Sequence, residues 1–477
     1  MNEKILKDIG CLKKNLENAE GYKCIEDTKI PNAIGVKYTI KRFIRKMTYW
    51  FIRPYWEQQI EYNKSIKAAV EDIYRIQCEL IGIQAAALKD CEEQSNKKLL
   101  KISEAKGKRV FQIVSSLNFG DAVGNDVMAI QNFLKKENIV TAIFANSIHS
   151  KIEVGTAFLI DKLPELREDD IVFYHFASED PLCELIKKVP CKVIIRYHNV
   201  TPPKFFHGFD LGAEMNTKKG LEQIRELAPY IDYGIVVSEF NKQDLINMGY
   251  TCPIEVVPIL IQFDDYKKKP SQSVIDKYSD GRHNIIFVGR MAPNKKVEDV
   301  ISAFATYKMM YDKDARLFLV GNYNEEDKYY KFLRKHISKL QVEDVFFSGH
   351  IPFDEILAYY TIADVFICMS EHEGFCVPLV EAMFFDVPIV AYLKCAVPDT
   401  LKGTGVGIAN KDFELIAMKM NDLMQNDTCR NDIILGQRKR LADFDNEVVG
   451  KLIVDKIESF IADKIVNSSE SVGANPK

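Results

Sequence analysis

Between residue 107 and about residue 265, short apolar runs rich in Val and Ile alternate with helical segments. The runs are Arg109–Leu117, 139–145, 170–175, 192–197, 233–237 and 254–258. Short Val/Ile-rich runs of this kind predict strands buried on both faces. The pattern returns from about 282 to 445, with strands at Asn284–Val288, Ala315–Val320, Val345–Ser348, Val365–Cys368 and Ile389–Ala391. Strands that alternate with helices predict a parallel sheet covered on both sides. Two such series predict an α/β protein with two Rossmann-like domains facing across a cleft.

The remaining segments have a different character. Residues 1–106 are poor in strands and predict a helical extension. Residues 107–270 and 271–446 are the two α/β domains. A last helix spans 447–466, and the polar tail 467–477 predicts disorder. Within the extension, Val36, Ile40, Phe43, Ile44, Met47, Trp50 and Phe51 recur at helical steps. Between Asp27 and Glu57 there is no acid but seven bases: Lys29, Lys37, Lys41, Arg42, Arg45, Lys46 and Arg53. A basic amphipathic helix over 36–56 with an aromatic end suits an anionic membrane surface, or a helix packed on the body with its basic face solvated. Asn63, Ile66, Val70, Ile73, Gln77, Leu80, Gln84, Ala87 and Cys91 follow three-four spacing. Residues 63–91 are therefore a candidate coiled coil for a homo-oligomer, or an intramolecular packing helix.

Composition narrows the classes. The 477 residues are 47% hydrophobic and 28% charged, ordinary for a globular protein. Lys plus Arg is 64 and Asp plus Glu 68, a net charge of -4, which excludes a globally basic nucleic-acid coat. The eleven cysteines are irregularly spaced without a CxxC pair, so neither a disulfide framework nor a zinc site is expected. The charged N-terminus lacks the apolar core of a signal peptide, and no apolar run reaches the ~18 residues of a membrane span. A cytoplasmic protein, peripheral at the inner face of a membrane if 36–56 binds there, is the expectation.

Chemistry concentrates in the loops that follow strands. Strand Asn284–Val288 leads into Gly289, Arg290 and Lys295, two cations at the ligand-binding end of a sheet and suited to a diphosphate. The segment Ser370–Ala382 carries Glu373 and Glu381, eight residues apart, with Gly374 beside the first. Gly374 would let backbone approach a ligand. The amides of Phe375, Cys376 and Val377 would form a helix N-terminus, a ready anion site. Glu381, one turn in, could accept hydrogen bonds from two neighbouring hydroxyls. After the first strand, Gly120, Asp121, Gly124 and Asn125 form a glycine-containing loop, with Asn125 or Asp126 expected to cap the next helix.

These residues resemble glycosyltransferase family 4, the retaining glycosyltransferases of the GT-B fold. Gly289-Arg290 with Lys295, and Glu373-Gly374-Phe375-Cys376 with Glu381, match the family's Gly-Arg-x4-Lys and E-x7-E pattern in order and spacing. Leu319-Val-Gly321, Phe347-Ser-Gly349-His350 and Ala363-Asp364-Val-Phe366 resemble it as well, so the likeness covers about 107–450. Two positions depart: Lys296 and Cys376 stand where the family has Gly. Gly120–Asp126 and Tyr197–Pro203 resemble a subset of bacterial polysaccharide transferases. The resemblance implies that Arg290 and Lys295 hold the donor diphosphate and that Glu381 binds the ribose. It implies that Glu373 and the 374–377 backbone contact the sugar, and that His350 and Ile351 border the base. His198 becomes a candidate for sugar contact or catalytic support, His175 a weaker one, and His372 a supporting residue. The implied donor is a GDP- or UDP-hexose and the acceptor a glycan or lipid-linked glycan, with no cofactor and no metal. A non-catalytic GT-B scaffold and a sugar phosphorylase or epimerase are the alternatives.

Overall fold

The computed structural model describes residues 89–471, together with residues 46, 47, 73 and 75. The segments 36–56 and 63–91 otherwise lie outside the described residues. The chain divides into two compact units, Met1–Lys98 and Leu99–Lys477. In the first unit residues 89–98 are helical. The second unit holds two parallel sheets.

The first sheet contains β1 (Arg109–Leu117), β2 (Val140–Ile148), β3 (Phe158–Leu159), β4 (Ile171–Phe176), β5 (Lys192–Tyr197), β6 (Tyr233–Val236) and β7 (Ile254–Val256), in the order β3-β2-β1-β4-β5-β6-β7. The second contains β8 (Asn284–Val288), β9 (Arg316–Val320), β10 (Val345–Gly349), β11 (Val365–Cys368), β12 (Ile389–Tyr392) and β13 (Val406–Ile408), in the order β10-β9-β8-β11-β12-β13. All pairings between these strands are parallel. Each sheet reverses its strand order once, beside β1 in the first and beside β8 in the second, which is the Rossmann arrangement. The predicted strands are all present. β3 and β13 were not predicted, being only two and three residues long.

Side-chain alternation explains the burial. On β1, Val110 faces helix α1 (Ala122–Lys136), while Phe111 and Ile113 face the opposite core. Helix α2 (Val297–Met310) covers one face of the second sheet through Val300, Ile301 and Phe304. Helix α3 (Val377–Phe384) covers the other through Leu379, Val380 and Met383. Helix α4 (Asn446–Ser471) returns to the first sheet, where Val449, Ile453, Val454 and Ile457 join the core beneath α1. It continues to Ser471, into the tail expected to be disordered. The first strong helix breaker after it is Gly473. Among the described residues no helix is long and apolar enough to cross a membrane.

Two buried ion pairs pin the first sheet. Arg109 meets Asp170, and Arg196 meets Asp126 with both side chains fully enclosed. Arg196 also donates to the carbonyls of Val257 and Pro258, and Asp126 accepts from the Leu260 amide. Together they fix α1, β5 and the strand of chain that crosses between the two sheets.

Candidate functional site

The loops at the carboxyl ends of β1, β4, β5, β8 and β11 meet where the two sheets face. β8 leaves its sheet at Gly289 (φ 152°), beside Gly321 (φ 150°) at the end of β9. A Cβ on Gly321 would lie 2.0 Å from the Gly289 carbonyl oxygen, so only glycine permits this exit. Gly321 also tethers Gly349 on the next loop. Arg290 follows with an exposed side chain that pairs with no acid among the described residues. A 3-10 turn, Pro293–Lys295, then presents Lys295 inward. Lys296, the N-cap of α2, holds a left-handed conformation (φ 51°, ψ 49°).

Lys295 is the centre of the second half. Its Nζ lies 2.7 Å from each carboxylate oxygen of Glu373. Glu373 is 7% exposed. Burial alone would lower the Lys295 pKa, but Glu373 outweighs it and holds the ammonium above its ordinary value. Asn294 ties the two loops together. Its Nδ2 donates to the His372 carbonyl, and its own carbonyl accepts from the Glu371 amide. Asn294 carried no signal beyond its place beside a motif, and Gly321 carried only its place in Leu319-Val-Gly321.

The Glu373 loop enters α3 through Phe375, whose carbonyl accepts from the Thr400 hydroxyl. Cys376 is the N-cap at φ 74°, ψ 67°. Both departures from the family pattern thus sit where the backbone is left-handed. That accounts for glycine at these positions in the resemblance, and for a cost of roughly 1–2 kcal/mol when another residue stands there. Gly374 has a contact the sequence did not predict. A Cβ there would lie 2.4 Å from the His198 carbonyl oxygen and 2.7 Å from Asn199 Cβ. The closeness is to the other domain's backbone rather than to open space for a ligand.

Glu381 lies further along α3 in an aromatic pocket. Tyr266 donates to Oε1 at 2.9 Å and Tyr360 to Oε2 at 2.6 Å. Burial raises the Glu381 pKa, and the two phenols only partly offset it. Each carboxylate oxygen keeps a lone pair for a further donor. Neither tyrosine was picked out from sequence, because both reach Glu381 through the fold. His350 is exposed, and Ile351 packs on the second domain's core.

In the first half, Gly120 (φ 81°) turns the chain after β1. Asp121 caps α1 by accepting from the Gly124 amide at 2.6 Å. This corrects the expectation of a cap by Asn125 or Asp126. Asn125 lies inside the helix, its amide donating to the Asp121 carbonyl, and Asp126 is turned into the core against Arg196. A Cβ on Gly124 would lie 2.2 Å from the Asn118 carbonyl oxygen, so the tight return needs glycine.

His198, whose carbonyl lies against Gly374, has a side chain only 4% exposed. Its Nε2 is 3.2 Å from His175 Nδ1, and His175 Nε2 is 2.9 Å from Gln112 Oε1. Its Nδ1 is buried without a hydrogen-bond partner. Burial pushes the His198 pKa down to about 4, against the pull of Asp126. His198 is therefore a neutral imidazole near pH 7, with an enclosed ring nitrogen that no group among the described residues pairs. His372 meets Asn199 across the cleft and is likewise driven to about 4 by burial. Two clusters bring potential metal ligands within 4.8 Å: Asp126, His175 and His198; and Cys368, Glu373 and Cys376. In the first, Asp126 is already committed to Arg196 and the Leu260 amide.

Lys295, Glu373, His198, His372 and, through Asp126, the start of α1 thus converge. Arg290 lies on the Lys295 loop, Glu381 on α3, and His350 on the loop after β10. Residues 269–440 match the family model described as glycosyl transferases group 1. The match falls on the second α/β domain. It is 23% identical over 202 residues to O-antigen chain mannosyltransferase B of Escherichia coli, covering 41% of this chain and 52% of that protein. It is 25% identical over 335 residues to N-acetyl-alpha-D-glucosaminyl L-malate synthase of Bacillus anthracis, covering 66% and 77%. The chain thus spans about half the length of the mannosyltransferase. The crystal structure of Anabaena Alr3699/HepE in complex with UDP-glucose superposes with a TM-score of 0.58 at 16% identity, covering 74% of this chain and 99% of that one. The fold is GT-B: two Rossmann-like domains with the glycosyl transferases group 1 domain as the second.

Proposed function

We propose that this protein is a retaining glycosyltransferase of family 4. It moves a hexose from a GDP- or UDP-linked donor to a glycan or lipid-linked acceptor in surface polysaccharide synthesis. The observation that carries the reading is Lys295 centred on both Glu373 oxygens at the mouth of β8 and β11, inside the matched region 269–440. Arg290 and Lys295 neutralise the charge that grows on the leaving diphosphate, helped by the amides at the start of α3. Glu373, the 374–377 backbone and the free Nδ1 of His198 position the sugar. A neutral His198 does not donate a proton as an acid; it orients. Glu381 takes the ribose hydroxyls, and His350 and Ile351 flank the base. Resident metal and cofactor are not needed for this chemistry. The O-antigen chain mannosyltransferase supports a polysaccharide setting. Residues 36–56 reach an anionic membrane surface, residues 63–91 pair copies of the chain, and the protein works at the cytoplasmic face.

The test is incubation of the full chain with UDP- and GDP-hexoses and membrane-extracted acceptor, with and without EDTA. Glycosylated product with the donor's anomeric configuration, unchanged by EDTA, is expected. An inverted product would reject retention, and loss with EDTA would reject metal independence.

A further inference from the structure

The proposed chemistry leaves unused a pair of thiols at its centre. Cys368 ends β11 and Cys376 caps α3, so the loop bearing Glu373 runs between them. Their Sγ atoms and a carboxylate oxygen of Glu373 lie within 4.8 Å of one another. Cys368 is 1% exposed and Cys376 7%. The Cys368 thiol donates to the Ser370 hydroxyl at 3.4 Å. Two thiols this close at the ends of one short loop are positioned to join, whereas isolated buried cysteines are inert.

We propose that Cys368 and Cys376 are a peroxide-oxidisable dithiol whose closure to a disulfide disables the Glu373 loop. Cys368 is taken as the attacking member; the balance is the same if Cys376 attacks first. The Cys368 thiolate attacks hydrogen peroxide; the O–O bond breaks, leaving a sulfenic acid and hydroxide, which takes up a proton as water. The Cys376 sulfur then attacks the Cys368 sulfur. The S–S bond forms, the S–O bond breaks, and the hydroxyl leaves as water with the Cys376 proton. In sum two thiols and one peroxide give one disulfide and two waters. Disulfide sulfurs sit about 2 Å apart. Closure therefore pulls the left-handed N-cap of α3 towards β11 and draws Glu373 away from Lys295. The loss of donor binding rests on the proposed function; the formation of the bond does not.

The sequence offers a clean readout. There is no Lys or Arg between Lys339 and Lys394, so trypsin releases residues 340–394 as one peptide, whose cysteines are Cys368 and Cys376 alone. The full chain is treated with peroxide, quenched, alkylated with N-ethylmaleimide in denaturant, digested and weighed. The thermal shift with UDP and GDP is followed in parallel. The expected peptide is about 2 Da lighter than its reduced form and takes no maleimide until dithiothreitol is added. The nucleotide-induced shift is expected to vanish on oxidation and return on reduction. A Cys368→Ala variant is expected to give the same shift before and after peroxide. A peptide that still takes two maleimides, or gains oxygen atoms instead of losing hydrogen, overturns the proposal. A disulfide that leaves the nucleotide shift intact overturns its inhibitory effect. If the untreated chain responds to neither nucleotide, the donor reading fails, and the peptide mass still decides the dithiol.

Discussion

At the scale of single residues, Glu381 makes a prediction with a definite sign. In the proposed role its carboxylate accepts two ribose hydroxyls best when ionised, and burial raises its pKa. Nucleotide affinity should therefore fall on acidification at a pH above the ordinary glutamate range and level off above it. Isothermal titration across pH checks this, and Glu381→Gln should flatten the profile. The same shift read as stability has the opposite sense. The folded state holds the proton more tightly, so this group's contribution is full below the ordinary glutamate pKa and lost as pH rises through the raised one. Lys296 offers a second prediction. At φ 51° it carries left-handed strain, and its own ion pairs to Glu298 and Glu371 are long, at 3.4 and 4.0 Å. Lys296→Gly should stabilise by up to ~1 kcal/mol in urea unfolding, the relief being partly offset by glycine's entropy. Lys295 and Glu373 stood out because the spacing of both motifs supports the family resemblance; the ion pair that joins them was not predicted. The tyrosines on Glu381 were not legible, since Tyr266 is 115 residues away in sequence.

At the scale of elements, the strands were legible because parallel strands buried on both faces have no polar side to confuse the pattern. The start of α1 was misread by a few residues. Asp121, Asn125 and Asp126 are all good cap residues, and only the fold shows that Asp126 is needed inside. That buried role predicts a large effect. Asp126→Ala leaves the enclosed Arg196 without its carboxylate and frees the linker at Leu260. A loss of about 3–5 kcal/mol is expected in chemical denaturation, the range for breaking a buried pair from one side. A loss below about 1 kcal/mol, the scale of an exposed pair, would contradict the assignment.

At the scale of the whole molecule, the site exists only where the two Rossmann halves meet. Gly374 on one half faces the His198 carbonyl on the other, and His372 reaches Asn199 across the same seam. Further out, the Phe240 amide donates to Asp399 at 2.9 Å, and Phe209 packs against Tyr329 and Phe332. Gly374→Ala should prop these halves apart. Turnover should fall at least about tenfold, a cost of 1.4 kcal/mol or more in the transition state, with an unchanged unfolding midpoint. The two-domain plan was readable from the repeated strand pattern. The seam was not, because it depends on how two independently patterned sheets are set against each other. The central claim, that Lys295 and Glu373 serve transfer from a nucleotide-diphosphate sugar, is tested most directly by nucleotide release. The full chain and its Lys295→Ala variant are compared over a panel of UDP- and GDP-hexoses with acceptor present. Release by the native protein with one donor, reduced at least ~100-fold in the variant, is the expected result; equal release by both, or none from the native protein with any donor, would contradict it.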